Sequence, residues 1–116
     1  MKEHKLELTL LFDYYGDLLT EKQRTCFDLY YNQDMSLSEI AQESGISRQG
    51  VHDSLTRARV TMQNLEATTG AMERDRRCRE ALVRIRAAAE PLCQNANPKV
   101  VRLAREILAA AATLEG

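Results

Sequence analysis

Seven polar residues between positions 47 and 57 carry side chains suited to contacting nucleic acid. Valine and leucine at positions 51 and 55 separate them at helical spacing, which places the polar set on the outer side of a helix. Glutamine pairs with adenine, and arginine binds guanine edges or phosphates. These types predict a nucleic-acid interface, for either DNA or RNA. The seven residues are Ser47, Arg48, Gln49, His52, Asp53, Thr56 and Arg57.

Two residues of the same segment argue for only modest affinity. Gly50 costs a helix about 1 kcal/mol relative to alanine, and the carboxylate of Asp53 repels backbone phosphates. A polar outer side is also what an ordinary solvated helix presents, and similar helix pairs serve in contacts between proteins. A solvated surface and a protein-binding surface therefore stay open as alternatives.

A helix-turn-helix is predicted over residues 36–59, and it would position this polar segment. Ser36 can cap a first helix, with Glu39 three residues later completing a capping box. Gly45 can adopt the left-handed conformation that ends the helix. Ser47 can then cap the second helix, which carries the predicted interface.

The whole chain is predicted to be all-α, because alanine, leucine, glutamate and arginine dominate and aromatic residues make up 5%. We expect a four-helix segment over residues 1–69 and a helical hairpin over residues 70–116. Alanines in the last two helices permit close packing within one chain or between two chains, so a homodimer through these helices stays open. Six helices are predicted. The first three span residues 5–15, a segment capped by Thr20 that closes at 32–34, and residues 37–44.

The last three helices are predicted from apolar residues that recur at helical spacing and should face inward. The fourth begins at Ser47, and its inward residues are Val51, Leu55, Ala58, Met62 and Leu65; those of the fifth are Cys78, Leu82, Ile85, Ala89 and Leu92. The sixth is capped at Asn97, and its inward residues are Val100, Leu103, Ile107, Ala111 and Leu114.

Composition argues against an enzyme, a metal site or a cofactor. His4 and His52 are the only histidines and show no metal-ligand spacing, and no glycine-rich phosphate-binding loop is present. The three cysteines form no CxxC pair, which favours free thiols in a reducing cytoplasm. No apolar run is long enough to span a bilayer, and the charged N-terminus is unlike a signal peptide.

Charge is divided unevenly along the chain. Residues 1–46 hold four basic and nine acidic residues, a net charge of −5, whereas residues 47–86 hold nine arginines and five acidic residues, a net charge of +4. A basic protein could meet the acidic half while RNA meets the basic segment. The alternative function is therefore a protein-interaction adaptor or regulator without specific DNA binding.

Part of the chain resembles region four of bacterial sigma factors, which reads promoter DNA. The resemblance covers the entry at 19–24, the motif turn at 38–41 and 45–47, and the recognition helix and exit at 51–59. It implies a helical DNA-binding module. The other sigma regions have no counterpart in the sequence, so the resemblance does not imply a sigma factor.

Over its whole length the chain is similar to the YlxM-like family of small bacterial helix-turn-helix proteins. The similar segments are 11–16, 18–20, 30–31 and 46–53, and family members usually have alanine where Gly50 stands. The family is associated with the genes of the signal recognition particle. The resemblance therefore implies a part in protein targeting, with the particle's GTPase or its RNA as candidate partner.

Overall fold

The computed structural model describes residues 5–115, which form α-helices and short helical turns without a β-strand. This confirms the predicted all-α class. The described helices are α1 (Lys5–Tyr15), α2 (Glu21–Phe27), α3 (Leu37–Ser44), α4 (Arg48–Thr69), α5 (Ala71–Ala89) and α6 (Pro98–Thr113).

The chain divides into two compact units, whose described parts are residues 5–72 and 73–115. The first unit contains α1 to α4 and the first residues of α5. The second contains the rest of α5, a 3-10 turn (Glu90–Gln94) and α6. The predicted interface lies entirely within the first unit.

Reciprocal capping boxes begin α2 and α3, as predicted. The Gln23 amide donates to Thr20 Oγ1 at 3.1 Å, and the Thr20 amide donates to Gln23 Oε1 at 3.2 Å. Ser36 and Glu39 make the equivalent pair at 3.1 and 2.9 Å. The hydrogen bond from the Ser36 amide lowers the pKa of Glu39 below its ordinary value, so the box keeps its ionised acceptor at neutral pH and weakens as the solution becomes acidic.

The turn between α3 and α4 is sharp because Gly45 adopts the left-handed conformation, with φ 71°. Its amide donates to the Ala41 carbonyl oxygen at 3.0 Å, which ends α3. Ser47 then caps α4. The predicted bend at Gly45 and both predicted caps of the motif are confirmed.

A π-helical turn over Asp28–Asn32 follows α2, where no such turn was predicted. The wider turn places two consecutive aromatic residues, Tyr30 and Tyr31, in the buried core. The Met35 amide donates to the Leu29 carbonyl oxygen at 3.0 Å after this turn. The irregular turn therefore packs against α1 and α3.

The core of the first unit is centred on Phe27, which is fully buried. Its ring lies 4.6 Å from the ring of Phe12 and 4.5 Å from that of Tyr31, measured between centroids. The α4 residues in this core are Val51, Ala58 and Met62, with Leu55 and Leu65 partly buried against it. The predicted inner side of α4 is therefore confirmed.

One buried polar residue of α4, Ser54, was not predicted to face inward. It forms a hydrogen bond with the thiol of Cys26. Burial in the core raises the pKa of that thiol. The two small polar groups thus satisfy each other inside an apolar core.

A hydrogen-bond cluster connects the end of α1 to the end of α4. The Tyr15 hydroxyl donates to Glu66 Oε1 at 2.5 Å and lies 3.1 Å from Thr69 Oγ1. The Met72 amide donates to the same Glu66 oxygen at 3.0 Å. Glu66 therefore joins three separate segments of the first unit.

We predict that Tyr15→Phe lowers the free energy of unfolding by about 1–2 kcal/mol, because a partly buried carboxylate loses a charged hydrogen bond. Urea unfolding of Tyr15→Phe, Glu66→Gln and the double variant would measure this. The two effects should be coupled by at least about 0.5 kcal/mol. If the double variant loses the sum of the two single losses in free energy of unfolding, the hydrogen bond between Tyr15 and Glu66 is contradicted.

In the second unit the predicted inner sides of α5 and α6 are wrong in part. Leu82, Ala89 and Ala111 are buried as predicted, and Ala104 is buried although it was not predicted to be. Five larger side chains predicted to face inward are instead exposed: Ile85 (41%), Leu92 (42%), Leu103 (47%), Ile107 (45%) and Leu114 (65%). The apolar side of each helix is wider than the part that other residues bury. Periodicity alone does not show which part of that side becomes buried.

Two arginines of the basic segment are engaged by carboxylates within the second unit. Arg76 binds Glu73 at 2.6 Å and Glu80 at 2.5 Å, and Arg86 pairs with Glu115. The Arg76 guanidinium lowers the pKa of Glu73. These arginines fit the solvated-helix alternative rather than a nucleic-acid contact.

Candidate nucleic-acid interface

The first turns of α4 bring all seven predicted interface residues together. Thr56 is partly buried, and the remaining six are exposed. Ser47 is the N-cap, and its Oγ accepts a hydrogen bond from the Gly50 amide at 2.9 Å. The motif therefore presents one continuous polar surface that begins at the start of α4.

The start of α4 is a favourable environment for an anion. The Gly50 amide donates to Ser47 Oγ, and the Val51 amide donates to the Ser47 carbonyl oxygen. The amides that precede them belong to the first turn, where an α-helix offers no partner of its own. No acidic residue lies in the first turn of α4. The amides of Arg48 and Gln49 and the positive end of the helix dipole therefore favour a phosphate there.

Three of the predicted residues interact with one another on the surface of α4. Gln49 Nε2 donates to Asp53 Oδ1 at 3.0 Å, and His52 Nδ1 lies 3.8 Å from the same oxygen. An exposed pair of this kind is worth about 0.2–0.5 kcal/mol, whereas a bidentate base contact is worth about 1–3 kcal/mol. Gln49 can therefore leave Asp53 for a base edge at small cost.

Arg48 and Arg57 have no ion-pair partner among residues 5–115 and are exposed. They differ in this respect from Arg76 and Arg86. Their guanidinium groups are thus available to an external anion at both ends of the predicted surface.

Arg59 was not included in the predicted interface, although it adjoins two of its members. It lines a cleft beside α4 together with His52, Thr56 and Tyr31. Residues 52, 56 and 59 follow one helical side, so their spacing could have indicated Arg59. This arginine widens the basic surface towards the π-helical turn.

Gly50 is crowded by the cap that begins α4. A Cβ atom built at this position would lie 3.1 Å from Ser47 Oγ and 3.9 Å from Ile46 Cβ. The serine hydroxyl is a small exposed group that can move by a few tenths of an ångström while keeping its hydrogen bond. Alanine is thus compatible with the helix at this position.

We predict that Gly50→Ala raises the free energy of unfolding by up to about 1 kcal/mol, because alanine has the higher helix propensity. Thermal and urea unfolding would measure the gain. In a Ser47→Gly background, which lacks the crowded hydroxyl, the gain should be at least as large. A loss of stability in both backgrounds would contradict the prediction.

A family profile with the description "Putative helix-turn-helix protein, YlxM / p13 like", named UPF0122, matches residues 2–96. The chain belongs to the UPF0122 family. The resemblance inferred from the sequence segments is thereby confirmed, and the matched range contains the whole helix-turn-helix. Helix α6 follows the matched range.

Individual relatives support this membership. A UPF0122 protein of Thermoanaerobacter sp. (strain X514) is 38% identical over 108 residues, which is 92% of each chain. One from Clostridium kluyveri (strain ATCC 8527) is 45% identical over 78 residues, 67% of this chain and 70% of the relative. One from Desulforamulus reducens is 45% identical over 86 residues, 73% of this chain and 72% of the relative.

No helix within residues 5–115 combines the length and the apolar character needed to cross a bilayer. In the same part of the chain, no three histidine, cysteine, aspartate or glutamate side chains cluster as metal ligands. His4 lies outside the described residues.

Proposed function

We propose that this UPF0122 protein is a non-enzymatic regulatory protein that binds nucleic acid through the first turns of α4. The observation that carries the proposal is the exposure of Arg48 and Arg57 on the second helix of a helix-turn-helix, where neither has an ion-pair partner within residues 5–115. The guanidinium of Arg48 is carried by the first residue of α4, whose own backbone amide, with that of Gln49, favours a phosphate at the helix start. Among the seven residues of the predicted interface, Asp53 is the acidic one, and its carboxylate accepts a hydrogen bond from Gln49.

The proposed docking follows the usual geometry of the motif, in which the second helix enters the major groove with its N-terminal residues at the base edges. Ser47 and Arg48 would contact phosphate or guanine, and Gln49 would contact adenine. Arg57 lies nine residues after Arg48, about 14 Å along the helix axis. Nine residues are also two and a half turns, so Arg57 lies about 180° around the helix from Arg48 and would contact the backbone on the other side of the groove.

We also propose that the protein acts in the targeting pathway of the signal recognition particle. Its support is the YlxM-type character of the family, not the geometry of α4. Copurification of the particle's GTPase or RNA with the tagged full-length protein would test it. Recovery of neither at physiological salt would contradict this part of the proposal.

Binding through phosphate contacts should weaken steeply with salt, and we predict about a 10- to 40-fold loss of affinity between 50 and 200 mM salt for two or three contacts. Fluorescence anisotropy with a mixed-sequence DNA duplex and with a structured RNA would measure it and identify the preferred class. Arg57→Gln should make the slope of the salt dependence shallower by about one phosphate contact. Salt-independent binding, or no binding to either nucleic acid, would contradict the proposed function.

A further inference from the structure

Helix α1 has a second apolar row that the core does not use. Leu8, Leu11 and Tyr15 face the core and are buried. Leu6 (75% exposed), Leu10 (50%) and Tyr14 (38%) lie four residues apart on the other side. Leu18, 67% exposed, continues the four-residue spacing after the end of α1. We call Leu6, Leu10, Tyr14 and Leu18 the outer row.

Carboxylates border the outer row on both sides. At about 100° per residue, Glu7 lies next to Tyr14 around the helix axis, and Asp13 lies next to Leu6 on the opposite border. Both are exposed. Asp17 adjoins Leu18, and its side chain is 97% exposed although it contacts Arg24 at 3.2 Å.

An acidic groove runs between α1 and the end of α4, on the Glu7 side of the row. Leu11, Ala67 and Met72 supply its apolar lining, and Glu7 and Glu66 supply carboxylates. The space available is about 390 Å³, enough for the end of a long side chain. An aliphatic stem ending in a cation fits both the lining and the charge.

From this arrangement we infer that the outer row docks an amphipathic helix of a partner protein that carries lysine or arginine beside its apolar side. Apolar residues at four-residue spacing are the pattern by which one helix packs against another. The two acidic borders would face the basic residues of the partner helix. This surface and the proposed nucleic-acid interface involve different residues, so the inference goes beyond the proposed function.

The acidic borders also disfavour other occupants. Nucleic acid and anionic lipid surfaces are repelled by the carboxylates of Glu7 and Asp13. Pairing of the outer rows of two copies would bring like charges together, because each copy carries the same borders. A basic helix is the occupant whose charge complements the row.

Fluorescence anisotropy with a labelled synthetic peptide would test the inference on the full-length protein. The probe is an 18-residue leucine–lysine helix with its leucines at helical spacing, and the comparison peptide has glutamate in place of lysine. We expect binding of the lysine peptide only. Both Leu6→Ser/Leu10→Ser and Glu7→Gln/Asp13→Asn should weaken that binding at least tenfold.

Matched control variants separate docking from general charge attraction. Val83→Ser/Leu92→Ser removes exposed apolar residues of the second unit, and Glu21→Gln/Glu43→Gln removes exposed acidic residues of α2 and α3. Both controls should bind the lysine peptide within twofold of the unmodified protein. Equal losses in the control and test variants, or no binding by the unmodified protein, would overturn the inference.

Two further measurements distinguish this inference from its competitors. Variants of the outer row should keep their affinity for nucleic acid, and Arg48→Ala/Gln49→Ala should keep its affinity for the peptide. Sedimentation equilibrium should show no self-association that depends on Leu10. A dimer abolished by Leu6→Ser/Leu10→Ser would overturn the inference in favour of a second copy as occupant.

Discussion

Replacing Arg48 and Gln49 together by alanine should weaken nucleic-acid binding by about 10- to 100-fold, because each side chain is proposed to contribute a base or phosphate contact. Both residues are exposed and lie outside the buried core. The free energy of unfolding should therefore change by less than about 0.5 kcal/mol. Anisotropy titrations and urea unfolding of the same preparations would measure both quantities.

A matched variant, Gln63→Ala/Arg105→Ala, removes the same two residue types from exposed positions outside the proposed interface. It should bind nucleic acid within about twofold of the unmodified protein, since neither residue belongs to the proposed interface. If the Arg48/Gln49 variant is folded and retains full affinity, the assignment of the interface to the start of α4 is wrong.

Phe27→Ala should cause the largest loss of stability, about 3–5 kcal/mol, because it removes a fully buried ring and leaves a cavity. The ring contacts both Phe12 and Tyr31. A small domain has about 5–15 kcal/mol of stability in total, so the variant should be close to unfolding at physiological temperature. Urea unfolding followed by circular dichroism would measure the loss.

Two comparison variants keep this prediction specific. Phe27→Leu retains most of the apolar volume and should cost clearly less than the alanine variant. Val83→Ala alters a side chain that is 67% exposed and should cost less than about 0.5 kcal/mol. A loss below about 1 kcal/mol for Phe27→Ala would contradict the central position of this ring in the core.

The motif that positions the candidate interface was predictable because its determinants act over a few residues. Ser36 and Glu39 bond each other three positions apart, and Gly45 alone supplies the left-handed turn. The buried Val51 sets the rotation of α4 and hence the outward direction of Arg48 and Gln49. The functional role of that surface stays a prediction.

The surface details of α4 depend on side-chain geometry that residue types leave open. Gln49 contacts Asp53, although each residue was predicted separately as a contact to nucleic acid. Arg59 gains its significance from the cleft beside Tyr31, which is distant in sequence. The degree to which the outer row on α1 is exposed depends on how the rest of the first unit packs, which residue types alone do not determine.

The sequence by itself determined the helical class, the caps, the bend at Gly45 and the inner side of α4, because each depends on local hydrogen bonds or on one strong periodicity. Tertiary structure decided the π-helical turn, the burial of Ser54 and the exposure of Leu103 and Ile107. These depend on which neighbouring elements compete for the same apolar space, and that competition joins residues far apart in the chain.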